Sequence, residues 1–131
     1  MFASGTKASG GGGDITVNRG NVTDPDWQSV DLTKDDAYHD LDLSGIVPVG
    51  TTFVQIIIQF LGFDTTLYLS LKEKDYISAE LGHHLSQRVA GTPYMAEVWL
   101  GVNADRVIEY KSKNALWLDL QITVAAWKVP A

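Results

Sequence analysis

Two adjacent histidines, His83 and His84, are the side chains of this sequence best suited to bind a transition metal. Imidazole is the commonest protein ligand for such ions. Neighbouring side chains of an extended strand point to opposite faces, so these two rings cannot easily reach one ion. They follow Gly82, where a turn is expected. We therefore interpret the pair as a solvated loop position.

Acidic residues gather early in the chain, at Asp24, Asp26, Asp31, Asp35, Asp36 and Asp40. Residues 40–45 also imitate the start of a calcium loop, with side-chain oxygens at the first, third and fifth positions and glycine at the sixth. The position that should carry a bidentate glutamate is Thr51, and the intervening leucines fit a strand. We interpret the acidic residues as solvated turns, and we predict no metal ligand and no cofactor.

The sequence contains no complete set of catalytic residues. A glycosidase needs two carboxylates that face each other at about 5–9.5 Å, and the spacing of Glu80, Glu97 and Glu109 pairs none of them. No serine has the glycine context of a nucleophile elbow. We predict that the protein has no catalytic residues and is not an enzyme.

The sequence pattern predicts that the elements positioning these residues are β-strands. Near the C-terminus apolar and polar residues alternate strictly: Leu116, Leu118, Leu120, Ile122 and Val124 take one parity, and Trp117 and Trp127 take the other. Only an extended strand places such a row on one face. The pattern predicts a strand whose aliphatic row faces the core and whose tryptophans face outward.

A second strong strand is predicted over residues 52–61. One parity is wholly apolar, and the other mixes Phe53, Gln55, Ile57, Gln59 and Leu61. A strand that is apolar on both faces lies centrally in a sheet, or a partner covers its outer face. The two glutamines fit a subunit interface as well as a core.

Shorter strand patterns, separated by turn residues, fill the rest of the chain from residue 14. They lie near 15–17, 27–32, 38–43, 66–71, 76–81, 96–102 and 106–111, with a short strand favoured over a helix within 82–91. About eight strands without a convincing amphipathic helix predict an all-β fold, an antiparallel β-sandwich of jelly-roll type. The glycine-rich residues 1–13 predict a flexible tail before a single domain over residues 14–131.

Composition excludes several classes of function. The net charge of −6, without any basic run, disfavours binding to nucleic acid and to anionic membranes. The absence of cysteine removes disulfides and thiolate chemistry. No apolar run approaches the roughly 20 residues of a transmembrane helix, and the N-terminus lacks the apolar region of a signal peptide.

Two segments resemble a family of small β-sandwich domains found in virion proteins of tailed phages and environmental viral genomes. Residues 42–51 (DLSGIVPVGT) match that family's turn before an apolar strand. Residues 106–111 (RVIEYK), followed by the alternating strand that closes at Trp127, match its last two strands. The resemblance implies an attachment, fibre-tip or capsid-surface module, often trimeric, made in the host cytoplasm and placed on the virion surface.

Two functions from different classes remain open. The first is a non-enzymatic virion structural protein, a capsid decoration or a tail or fibre component, that binds copies of itself and other virion proteins. Its hypothetical interface is Phe53, Gln55, Ile57, Gln59, Trp117 and Trp127. The alternative is a carbohydrate-binding module for surface glycans, with or without calcium, whose ligand residues are Trp99, Tyr110, Asp36 and Asp40.

Overall fold

The structure, a computed structural model, describes residues 13–74 and 82–131, which form nine β-strands. The strands are β1 (Asp14–Asn18), β2 (Trp27–Gln28), β3 (Tyr38–Asp42), β4 (Phe53–Gly62), β5 (Tyr68–Glu73), β6 (His83–Ser86), β7 (Tyr94–Gly101), β8 (Val107–Ser112) and β9 (Trp117–Pro130). A short 3-10 helix covers Ser29–Asp31. Within the described ranges there is no helix long and apolar enough to cross a membrane.

The strands pair in a nested order, from the outermost pair to the innermost. β1 and β2 lie in succession along β9, β3 pairs with β8, β4 with β7, and β5 with β6, all antiparallel. Pairing of β9 with β4 and of β8 with β5 joins them into two sheets. We call β1-β9-β4-β7, with β2, the front sheet and β3-β8-β5-β6 the back sheet.

This nesting is the winding of a jelly roll, with β1 and β2 as two pieces of one strand position. The predicted fold class, an antiparallel β-sandwich of about eight strands, is therefore confirmed. The core lies between the sheets. The predicted inward row of β4 is fully buried: Val54, Ile56, Ile58 and Phe60. It packs in one cluster with back-sheet residues that include Leu69, Leu71 and Ile108.

A β-bulge reverses the predicted orientation of Trp117. Leu61 pairs with Asp119 and Gly62 with Trp117, so Leu118 is an extra residue on β9. The extra residue switches the parity of the strand. Trp117 is 6% exposed and meets Phe60 edge-on, with ring centroids 5.3 Å apart. The prediction that Trp117 faces outward is wrong, and Leu118 lies at the surface instead.

A second bulge does the same to Trp127. Gln55 pairs with Ala126 and Ile56 with Val124, which leaves Ala125 as the extra residue. Trp127 then pairs with the buried Val54 and packs, partly buried, against the core. Its predicted outward orientation is also wrong. Neither tryptophan therefore belongs to an outward-facing interface of this sheet.

The remaining strand predictions divide three ways. The short strand expected within 82–91 is confirmed as β6. The strand expected over 27–32 is wrong in its extent, because β2 has two residues and a 3-10 turn follows it. Val30 is exposed and Leu32 is buried, although a strand through both residues would place them on one face. The strand predicted over 76–81 and the tail over 1–12 lie outside the described residues.

Candidate functional site

The outer face of the front sheet carries exposed apolar side chains on β4 and β7. Met95 is 65% exposed, Phe53 43% and Trp99 39%. Cross-strand pairing places Gln55 opposite Trp99 and sets Ile57, half-buried, in the same outward row of β4. We call these five residues the front patch. Phe53, Gln55 and Ile57 come from the predicted interface, whereas Met95 is an addition that β7 supplies.

Weak polar contacts cross the front sheet within the front patch and next to it. The Gln55 amide donates to Glu97 Oε2 at 3.3 Å, and the Gln59 amide donates to Asp119 Oδ2 at 3.5 Å. The ammonium of Lys128 lies 5.0 Å from the centre of the Trp99 ring. That lysine occupies one face of the indole, which reduces the ring surface available for stacking on a sugar.

The outer face of the back sheet is polar, and its side chains bind one another. The shortest ion pairs on this face join Lys72 Nζ to Glu109 Oε1 at 2.5 Å and Lys74 Nζ to Asp40 Oδ1 at 2.6 Å. Ser70 Oγ lies 2.8 Å from Nδ1 of His84. Because these groups satisfy one another, the face offers few free polar atoms to a ligand.

One hydrogen bond at the margin of the back sheet shifts the pKa values of both residues that form it. The Tyr68 hydroxyl donates to Asp36 Oδ1 at 2.6 Å. That bond stabilises the neutral phenol and raises the pKa of Tyr68 to about 12. It also stabilises the carboxylate, which lowers the pKa of Asp36 below its ordinary value. The Asp36 carboxylate is therefore engaged by the protein's own tyrosine.

The residues predicted for the carbohydrate-binding alternative do not form one site. Trp99 lies on the outer face of the front sheet, whereas Asp40 lies on β3 of the back sheet and Asp36 on the loop before β3. Tyr110 is 4% exposed, within the core cluster, and its hydroxyl accepts a hydrogen bond from the backbone N–H of Thr33. Its assignment as an exposed sugar-stacking ring is wrong.

The two candidate metal ligands, His83 and His84, also point to different neighbours. His83 Nε2 lies 3.1 Å from the carbonyl oxygen of Trp99, whereas His84 contacts Ser70 and stacks on Tyr68. The two histidines thus serve different neighbours, as the alternation of strand side chains requires, and they belong to β6 rather than to a loop. Among the described residues, no group of three or more histidine, aspartate or glutamate side chains is placed to hold a metal ion.

A polar cleft beside β9 is the feature that sequence reasoning missed. It measures about 350 Å³ and lies between the loop of residues 20–25 and the outer face of the front sheet. Its sheet wall includes Ile57, Gln59, Gln121 and Thr123. The opposite charges of Arg19 and Asp26, at the two ends of this loop, could have indicated an ion pair that closes it. Nothing in the neighbouring sequence indicated that the pair would bind the backbone of β9.

Arg19 and Asp26 hold the loop against β9 where strand pairing is interrupted. The guanidinium makes two hydrogen bonds to the Asp26 carboxylate, at 2.6 and 2.9 Å, and one to the carbonyl of Val124 at 3.0 Å. The N–H of Val124 donates to Asp26 at 2.8 Å. The ion pair therefore satisfies backbone groups that lie between the ends of β1 and β2 on β9.

The chain matches no protein-family model, no curated protein and no solved structure. The resemblance to virion β-sandwich domains therefore remains a prediction from two short segments.

Proposed function

We propose that this protein is a non-enzymatic structural component of a virion surface, a capsid decoration or part of a tail or fibre, that assembles through its front patch. The winding supports this proposal, because double-sheet jelly rolls are typical of viral capsid proteins. Lectins and cupins share the same winding, so the fold alone does not decide the function. The observation that carries the proposal is the front patch itself.

The front patch has the chemistry of a protein contact rather than of a solvated face. Three large apolar side chains are exposed on the outer face of β4 and β7. Phe53 and Trp99 are diagonal neighbours, and Met95 lies four positions along β7 from Trp99, with Glu97 between them. Aromatic residues and methionine are enriched at the centres of protein interfaces. Glu97 lies within the same face, opposite Ile57 on β7, and accepts a hydrogen bond from the Gln55 amide at 3.3 Å. A partner must therefore pair this carboxylate or leave it solvated.

The occupant that we propose is a second copy of the same chain, with a trimer favoured. The trimer is what the resemblance to virion domains implies. In a cyclic trimer each front patch contacts a different surface of the next subunit, and the ring closes so that every copy of the patch is covered. Other virion proteins would then bind surfaces that remain outside this contact. The Lys128 side chain over Trp99 would lie at the margin of the interface.

The test is the mass of the protein in solution, by native mass spectrometry and light scattering across the micromolar range. We expect an oligomer of the 14.3 kDa chain, and we expect Ile57→Asp to convert it to monomers. Ile15→Asp is the matched control, since Ile15 is 51% exposed on β1, outside the front patch. A monomeric wild-type protein, or equal loss of mass in both variants, would contradict the proposal.

A further inference from the structure

The cleft beside β9 differs from the polar face of the back sheet, because three of its polar side chains have no hydrogen-bond partner among the described residues. On the back sheet, carboxylates and ammonium groups pair with each other. In the cleft, the side chains of Asn21, Thr23 and Thr123 make no hydrogen bond to any residue in the described ranges. Such groups stay solvated until a ligand replaces the water.

The orientation of the sheet amides adds hydrogen-bond acceptors to the cleft. The Gln59 amide nitrogen donates to Asp119 Oδ2, and that of Gln121 donates to Asp119 Oδ1 at 3.1 Å. Because a carboxylate can only accept hydrogen bonds, the amide nitrogen of each glutamine must point towards Asp119. The carbonyl oxygen at the other end of each side chain is left to accept from a donor outside the sheet.

The charge of the cleft disfavours an anionic ligand. Asp24 is among its lining residues, and no lysine or arginine is. The nearest guanidinium, that of Arg19, is already engaged by Asp26 and by the backbone of Val124. The lining also includes the apolar side chains of Val22, Pro25 and Ile57. The cleft therefore combines acceptors, hydroxyls and a small apolar surface.

We propose that this cleft is a binding site for a neutral, hydroxyl-rich ligand of about the size of one hexose. Hydroxyl groups of such a ligand can donate to the glutamine carbonyls and to Asp24, and can both donate to and accept from Thr23 and Thr123. The C–H face of a sugar ring can pack on the apolar side chains. At about 350 Å³ the cleft lies near the lower limit for small-molecule sites.

This site is distinct from the one predicted from the sequence, which used Trp99, Tyr110, Asp36 and Asp40. It also goes beyond the proposed role in assembly. The two surfaces share only the outward side chain of Ile57, because the front patch lies on β4 and β7 and the cleft on β4 and β9. Solution mass and ligand binding report on the two proposals separately.

The experiment is a titration of the ¹⁵N-labelled full chain with glucose, galactose and N-acetylglucosamine, followed by amide chemical shifts. We expect saturable shifts for at least one sugar, centred on residues 20–25 and 121–125. Glucuronate is the matched anionic probe, and we expect it to bind several-fold more weakly because of Asp24. No saturable shift with any neutral sugar, shifts centred elsewhere, or tighter binding of glucuronate would overturn the proposal.

Variants then test the assignment of the lining residues. Thr123→Val keeps the shape of the side chain, and we expect about fivefold weaker sugar binding from the loss of one neutral hydrogen bond. Asn21→Ala, in the loop, should weaken binding similarly without touching the sheet. Thr16→Val is the matched control, at an exposed position of β1 outside the cleft, and should bind like the wild type. Unchanged affinity in both cleft variants would overturn the assignment.

Discussion

At the scale of single residues, polar side chains in this sandwich act mainly on one another. Arg19 and Asp26 replace missing strand pairing along β9, and their side chains are 25% and 11% exposed. The short hydrogen bonds of Asp26 raise the pKa of Arg19, since they stabilise the charged guanidinium. Charge-assisted, bidentate bonds of this kind are about twice as strong as neutral ones. They fix the loop that forms one wall of the cleft.

The hydrogen bond from Tyr68 to Asp36 gives a prediction about titration. In wild-type protein we expect one tyrosine to ionise near pH 12, well above its ordinary value of 10.0. In Asp36→Asn that phenol should titrate closer to the ordinary value, because the charged acceptor is gone. Asp36 has a φ of 64°, a conformation that asparagine tolerates, so the backbone should be kept. Near-ultraviolet absorbance measures the phenolate.

The same bond sets the direction of two pH effects on stability. The folded-state pKa of Tyr68 is raised, so its contribution is complete below pH 10 and is lost as the pH rises towards 12. The folded-state pKa of Asp36 is lowered, so its contribution is present above its ordinary value of 3.8 and is lost on further acidification. Tyr68→Phe is the control. We expect wild-type protein and Tyr68→Phe to show the same number of phenols ionising below pH 11. One more such phenol in the wild type than in Tyr68→Phe would refute the hydrogen bond.

At the scale of elements, the two bulges of β9 decide which side chains reach the core. We expect Trp117→Ala to lower the free energy of unfolding by about 3–5 kcal/mol, because it empties a buried aromatic site against Phe60. Leu118→Ala, one position away and 50% exposed, should cost less than about 0.5 kcal/mol. Urea denaturation followed by circular dichroism measures both. The reverse order of the two costs would contradict the bulge.

These bulges also show where sequence reasoning succeeds and where it fails. The inward row of β4 could be predicted because four alternate positions are apolar and no bulge interrupts them on that strand. The tryptophans of β9 could not be placed, since a bulge is set by the spacing of the partner strand, here β4, about 60 positions earlier in the chain. The cleft could not be predicted for the same reason, because residues 20–25 contact side chains of β9 about 100 positions later in the chain.

At the scale of the whole molecule, nested pairing makes nearly every strand contact distant in sequence. Among the described strands, only β5 and β6 pair as neighbours in sequence, whereas β1 pairs with β9 across almost the full length of the chain. Sheets that depend on such distant pairings fold slowly, because large loops must close before contacts form. The same nesting brings the two ends of the sandwich together, with the N–H of Ala131 donating to the carbonyl of Gly13 at 3.1 Å.

This geometry predicts the behaviour of a circular permutant. Ala131 is joined to Met1, so that residues 1–12 become the linker, and the chain is opened between Asp64 and Thr65 in an exposed turn. The turn joins β4 and β5, which lie in different sheets, so the cut separates no paired strands. We expect the permutant to refold faster than the wild type in stopped-flow measurements, because β9 and β1 become neighbours in sequence. An opening between Ala104 and Asp105, with the same join, is the matched control and should share the gain. Slower refolding of both permutants at unchanged equilibrium stability would show that closure of the outer strand pair does not limit folding.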